Sequence, residues 1–160
     1  NAKRPLIFFT DYAEIRDGNI VESNKLLRIK RIMLFILRPK SMWGSRFARR
    51  RVLSMGSPIC CPSITYYKPN LMEPVFLNGF RSNEDWEAEE RISQLDGEFI
   101  FCNKILTYHR IHEDSETSKI IHDSKRSEED YAMYRKFWPS GIARILTKLY
   151  SSSEKSNNIK

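Results

Sequence analysis

Two short polar segments hold the residue types that chemistry would need. The first, Ser82-Asn83-Glu84-Asp85-Trp86-Glu87, sets adjacent carboxylates at the start of a helical pattern; the second, Tyr108 to Thr117, gathers His109, Arg110, His112, Ser115 and Thr117. A carboxylate in the first turn of a helix lies at the positive end of the helix dipole, which favours its ionised form by up to about 1 kcal/mol. Ionised is the form a general base needs, so Asp85 is the candidate to take a proton from a hydroxyl, with Glu84 as its acidic neighbour. Arg110, His112 and the hydroxyls of Ser115, Thr117 and Ser118 supply a cation, a metal-ligating ring and small donors, an inventory suited to a diphosphate. No HExxH run and no Cys/His ligand spacing occurs, which argues against an all-protein zinc site. Taken alone, each segment also fits a plainer role: Asp85 as a capping carboxylate, His112 as a surface histidine.

The elements that must position these residues are legible from periodicity. Ser82 followed by Asp85 fits a capping box, Trp86, Ala88, Ile92 and Leu95 recur at roughly helical spacing, and Gly97 follows as a stop, so the spacing predicts an amphipathic helix of about three turns. Ile100-Phe101-Cys102 and Ile105-Leu106 with Tyr108 read as two short strands around the turn-type pair Asn103-Lys104, leaving residues 109–117 as a polar loop. Ala13-Glu14-Ile15 and Asn19-Ile20-Val21 flank Asp17-Gly18, a strong hairpin pair, and Ser63 to Tyr67 reads as a strand. A cationic apolar helix covers Lys25 to Arg38, ending at Pro39; another opens at Ser127-Glu128-Glu129-Asp130, and Pro139 separates it from a last apolar stripe running to Tyr150. Mixed strands and helices without internal repeats predict an α/β fold, with residues 151–160 as a polar tail.

Gly79-Phe80 leading into Ser82 to Glu87, Arg91-Ile92, and then Tyr108-His109-Arg110-Ile111-His112 with Ser115 and Thr117, resemble the C-terminal half of family 2 glycosyltransferases, inverting enzymes of the GT-A fold that use nucleotide sugars. Phe9-Thr10-Asp11-Tyr12 resembles the strand after that family's metal-binding acidic motif, and Gly56-Ser57-Pro58-Ile59 its acceptor-side segment. The resemblance implies a mixed sheet flanked by helices, the C-terminal portion of a GT-A type fold spanning residues 1–150, with the nucleotide-binding half absent. It implies that Asp85 deprotonates an acceptor hydroxyl as it attacks the anomeric carbon. Gly56, Ser57, Ile59 and Trp86 would line the acceptor, and Arg110, His112, Ser115 and Thr117 the departing diphosphate. The donor is then a nucleoside-diphosphate sugar and the acceptor a saccharide or lipid-linked saccharide. A divalent metal, Mg²⁺ or Mn²⁺, would be held mainly by the missing half, with His112 as a supplementary ligand. His109 is either an addition inside the family's Tyr-Arg-x-His pattern or a replacement of a residue before it.

Composition bounds the alternatives. The 160 residues are 41% apolar and 12% aromatic, enough for a core. No run of about 18 uncharged apolar residues and no signal-type start is present. Three cysteines, two of them adjacent, form no disulfide framework, which suits a cytoplasmic location, at the inner face of the cell membrane if the acceptor is lipid-linked. The net charge of +7 calls for an anionic partner or none. Its densest source, Lys25 to Arg38 followed by Arg46 and Arg49-Arg50-Arg51, reads either as a core helix with solvated charges or as a surface helix on anionic lipid. The alternative function is accordingly a non-catalytic basic domain that docks on membranes or acidic partners. Basic residues interleaved with exposed aromatics and helix-turn-helix or RNP patterns are not seen, so nucleic acid is not an expected partner.

Overall fold

A computed structural model of the chain describes residues 4–111 and 124–155. Its centre is β1 (Pro5–Arg16), a strand buried along most of its length. Strands buried on both faces read as continuous apolar runs rather than alternating ones, and Leu6-Ile7-Phe8-Phe9 is such a run. β2 (Asn19–Val21) returns antiparallel through Asp17 (φ +49°) and Gly18 (φ +77°), the pair of positive φ angles that a two-residue hairpin demands. β3 (Thr65–Tyr66) adds antiparallel to Ile7 and Phe8, and β4 (Glu98–Ile111) runs parallel to β1 over its full length. The result is a mixed four-stranded sheet.

β4 corrects the expectation of two strands around Asn103-Lys104. Thr10 pairs with Cys102 and Asp11 with Ile105, so Asn103 and Lys104 are accommodated as extra residues in one continuous strand. A turn-type pair here produces a bulge rather than a reversal, since the flanking apolar residues find partners on β1 in both directions.

Helices α1 (Lys25–Met33), α2 (Arg46–Leu53), α3 (Glu84–Ser93), α4 (Ser124–Arg135) and α5 (Ser140–Lys155) flank the sheet. The cationic helix is α through Met33 and then tightens to a 3₁₀ turn over Leu34–Leu37. It is only partly a core element: Leu27, Leu34 and Leu37 are buried, while Ile29, Ile32 and Phe35 are exposed. The expected tail begins later than residue 151, because α5 continues to Lys155; residues 156–160 lie outside the described residues. No helix among the described residues is long and apolar enough to cross a membrane. All three cysteines are free.

The core joins sheet and helices through stacked rings. Phe9 and Phe101 stack with centroids 4.9 Å apart, and Trp86 meets Tyr134 edge-on at 5.2 Å. Trp86 also donates its indole N–H to the Leu53 carbonyl at 3.0 Å, so its one polar atom is satisfied in the interior. The Arg49-Arg50-Arg51 run is absorbed by packing only in part, since Arg51 stays exposed. Arg49, fully buried, donates to the carbonyls of Leu95 and Gly97, the groups left open after α3, and covers the Phe99 ring at 5.3 Å. Burial lowers its pKa to about 10. Arg50 pairs with Glu90 at 2.6 Å, and Arg51 lies over Trp138 at 5.2 Å.

Candidate functional site

α3 begins at Glu84, and its start is held differently from the expected capping box. Asn83 occupies the cap position without a side-chain bond into the helix. The acceptor comes instead from α4: the Glu129 carboxylate takes the backbone N–H groups of Arg81, Ser82 and Asn83 at 2.9, 2.8 and 3.2 Å. Asp130 beside it accepts from the Asn83 amide at 2.8 Å. Ser82 therefore contributes a backbone donor, not a capping hydroxyl. A carboxylate supplied from another helix instead ties the segment just ahead of α3 to α4.

On that turn Glu84 is exposed and Asp85 half-buried. Asp85 Oδ1 accepts the backbone N–H of Trp86 at 2.8 Å. Burial raises the Asp85 pKa above the ordinary carboxylate value, while the Trp86 N–H, Lys30 and Arg126 pull it back. The outcome is a carboxylate more basic than usual yet within electrostatic reach of positive charge, a setting that suits a general base.

The surroundings of Asp85 were not anticipated. Lys30, from α1, has its ammonium 5.5 Å from the centroid of the Tyr12 ring and within hydrogen-bonding reach of the Tyr12 hydroxyl. Burial alone would depress Lys30, but Tyr12, Cys60 and Asp85 outweigh it and raise its pKa, so the amine stays charged. Burial likewise raises the Cys60 and Cys61 thiols to about 12 and 11, with the Asp85 charge adding to both.

Glu89, one turn after Asp85, is the most unusual group here. Three glutamates of α3 are buried: Glu87, Glu89 and Glu90. Glu87 pairs with Arg91 at 2.9 Å and Lys136 at 3.0 Å, and Glu90 with Arg50 and Lys136. Glu89 is fully buried, and neither carboxyl oxygen has a hydrogen-bond partner among the described residues. Burial and the neighbouring Asp85 drive its pKa well above the usual range against the pull of Lys30, so it is held as the neutral acid. The Tyr66 hydroxyl, close enough to feel a charge on Glu89, is likewise buried without a hydrogen-bond partner among the described residues, and burial above all raises its pKa.

The remaining expected residues separate. Arg110 is exposed near the end of β4, opposite Ile15, while His109 packs against Tyr12 with ring centroids 6.3 Å apart. His112, Ser115 and Thr117 lie outside the described residues. Of the acceptor set, Ile59 and Trp86 are core residues, 2% and 0% exposed, so neither ring nor branch is available to a ligand. Gly56 (φ +139°) is buried against Tyr150, whose ring would stand 3.0 Å from an added Cβ. Ser57 alone offers a half-exposed side chain. Among the described residues no three His, Cys, Asp or Glu side chains converge in a way that could hold a metal ion.

Tyr12, Lys30, Tyr66 and Glu89 were missed, although a signal existed for two of them. Lys30 and Arg31 fall between Leu27 and Leu34 at helical spacing, which turns both cations toward the sheet, where Arg31 pairs with Asp11 at 2.8 Å. Glu89 stands three residues from both Trp86 and Ile92, on the apolar stripe itself. No family model, no curated protein and no solved structure matches this chain.

Proposed function

We propose that the chain is the acceptor-activating half of an inverting glycosyltransferase of GT-A type, which moves a sugar from a nucleoside-diphosphate sugar to a hydroxyl of a saccharide or lipid-linked saccharide. The observation that carries this reading is Asp85: a half-buried carboxylate at a helix start, more basic than an ordinary aspartate and close to a buried ammonium. In the reaction, Asp85 takes the proton of the acceptor hydroxyl while that oxygen forms a bond to the anomeric carbon. The bond from the anomeric carbon to the diphosphate breaks on the opposite face, and the configuration inverts. Lys30 keeps Asp85 ionised between turnovers, and the resemblance assigns the charge of the departing diphosphate to Arg110, on β4, with His112, Ser115 and Thr117, which lie outside the described residues. The divalent ion that the resemblance implies would be held mainly by the missing half, with His112, which lies outside the described residues, as a supplementary ligand.

A glycosidase reading fits less well. Hydrolysis needs two opposed carboxyl groups across one bond, and Glu84 and Asp85 are sequence neighbours on one helix that point apart, one exposed and one half-buried. The test is Asp85→Asn in the complete natural polypeptide, assayed with UDP-, GDP- and dTDP-sugars. Loss of general-base catalysis typically costs about 10²- to 10⁴-fold; a variant that folds normally and keeps near-normal turnover would sink the assignment.

A further inference from the structure

We infer that α1 with its 3₁₀ extension, α2 and α5 together form a face that docks on a bilayer of anionic lipids. Six large apolar side chains among the described residues are at least 60% exposed, and five of them are on these elements: Ile32 and Phe35, Phe47, Ile145 and Leu149. Each lies opposite its element's buried side. On α5, Ala143 faces the core while Ile142, Ile145 and Leu149 recur outward at helical spacing, and on α2 the outward residues are Phe47 and Arg51, with exposed Met55 just after the helix.

The three elements meet around one buried glycine. Gly56, just after α2, is flanked by Met33 of α1 and Tyr150 of α5, with Met33 Cε 3.6 Å and a Tyr150 ring atom 3.0 Å from where its Cβ would be. At the other end of α5, Arg51 covers Trp138, and Trp138 donates its indole N–H to the Ser54 carbonyl at 2.8 Å. α5 thus bridges from the end of α1 to the side of α2.

Charge names the occupant. Residues 25–53 hold ten Lys and Arg and no Asp or Glu, and residues 140–150 add Arg144 and Lys148, again without an acid. Lys30, Arg31, Arg49 and Arg50 turn inward, but Lys25, Arg28, Arg38, Lys40, Arg46 and Arg51 are exposed, as are Arg144 and Lys148. Exposed aliphatic side chains interleaved with cations suit a surface that is hydrocarbon within and phosphate at its rim. A nucleic acid would use the cations and leave Ile32, Ile145 and Leu149 in water.

The test is co-sedimentation of the full chain with vesicles of phosphatidylcholine alone or with about 30% phosphatidylglycerol, at about 0.1 M and 0.5 M salt. The expected result is at least about tenfold tighter partitioning onto the anionic vesicles, weakened by salt. Two paired variants, Phe47→Asp with Ile145→Asp and Arg46→Glu with Lys148→Glu, should each lose about tenfold or more, while Leu106→Asp, an exposed apolar site on β4, should bind like the parent. Thermal unfolding verifies each fold, and serine replaces aspartate in the first pair if that pair unfolds. Equal binding to neutral vesicles, face variants that bind like the parent, or tighter binding to duplex RNA or polyglutamate than to anionic vesicles would each overturn the inference. None of these outcomes depends on Asp85, so the inference stands or falls apart from the glycosyl-transfer reading.

Discussion

Replacing Glu89 by methionine should stabilise the fold, and by an amount that depends on pH. The two side chains are similar in length, so no large cavity follows, and methionine suits an apolar site. What disappears is a fully buried carboxyl group with no hydrogen-bond partner among the described residues. A buried polar group left unsatisfied costs about 1–3 kcal/mol, and that is the gain expected. For a chain of this size it corresponds to a rise in Tm of about 3–8 °C. The pH dependence follows from the direction of the shift. The folded-state pKa of Glu89 is raised, so folding favours its protonated form. Below the unfolded pKa, near 4.3, both states hold the proton and the advantage of methionine is least. As pH rises from there, the unfolded chain ionises while the folded chain pays to stay neutral, and the advantage grows until the folded pKa is passed. Urea unfolding of parent and variant between about pH 4 and pH 8 measures this directly. A gain that is flat across that range, or a variant less stable than the parent by more than about 1 kcal/mol, would refute the reasoning, because either shows that the Glu89 carboxylate is solvated or paired in solution. If the variant gains stability but loses turnover in the complete polypeptide, Glu89 is retained for its effect on Asp85 one turn away.

Other expectations follow from single contacts. Gly97→Ala places a Cβ 2.6 Å from the Arg4 carbonyl oxygen and 2.7 Å from Leu6 Cγ at φ +145°; strain and overpacking together should cost about 2–4 kcal/mol in chemical denaturation. Glu129→Ala removes the acceptor of three N–H groups ahead of α3, which should cost about 1–3 kcal/mol and raise amide exchange at residues 81–83. Because burial raises Asp85 above an ordinary carboxylate, the acid limb of kcat/KM in the complete polypeptide should lie above the ordinary aspartate value, with activity rising as Asp85 loses its proton; a limb at or below that value would remove Asp85 as the titrating base.

What the sequence revealed follows which forces act locally. The Asp17-Gly18 hairpin, the start of α3 within two residues and the break at Pro139 were legible because each is decided by a few adjacent residues: two positive φ angles, a first helical turn, a missing N–H. The bulge at Asn103-Lys104 was not, since that pair favours a turn until β1 is alongside to reward extension. The hold on the start of α3 was misassigned for the same reason: Ser82 is the nearest hydroxyl in sequence, but its own N–H is taken by Glu129 from α4, and the first-turn N–H of Trp86 goes to Asp85. In the candidate site, Asp85 was legible as a candidate from its position at a helix start, whereas Tyr12, Lys30 and Tyr66 come from three other elements and converge only when the chain folds. Trp86 erred the other way: an aromatic beside the candidate base suggests a ligand contact, but its rings against Tyr134 and Tyr150 make it core.

α1 connects the two proposals. Its inner side gives Lys30 to Tyr12 and Asp85, and Arg31 to Asp11; its outer side gives Ile29, Ile32 and, through the 3₁₀ turn, Phe35 to the proposed lipid face. A helix is about 10 Å across with its side chains, so a group seated at the headgroups on one side is within roughly that distance of the ammonium on the other. For an acceptor attached to a lipid, docking would then confine the search for the Asp85 carboxylate to a layer near the bilayer surface, an effective-concentration advantage that needs no added contact to the sugar. The same geometry makes the coupling measurable. In the complete polypeptide, Phe47→Asp with Ile145→Asp should raise KM for a lipid-linked acceptor in anionic vesicles while leaving kcat/KM for a water-soluble acceptor unchanged. A loss on both acceptors alike would mean that these substitutions act through the fold, and the bilayer would have no part in delivering substrate to Asp85.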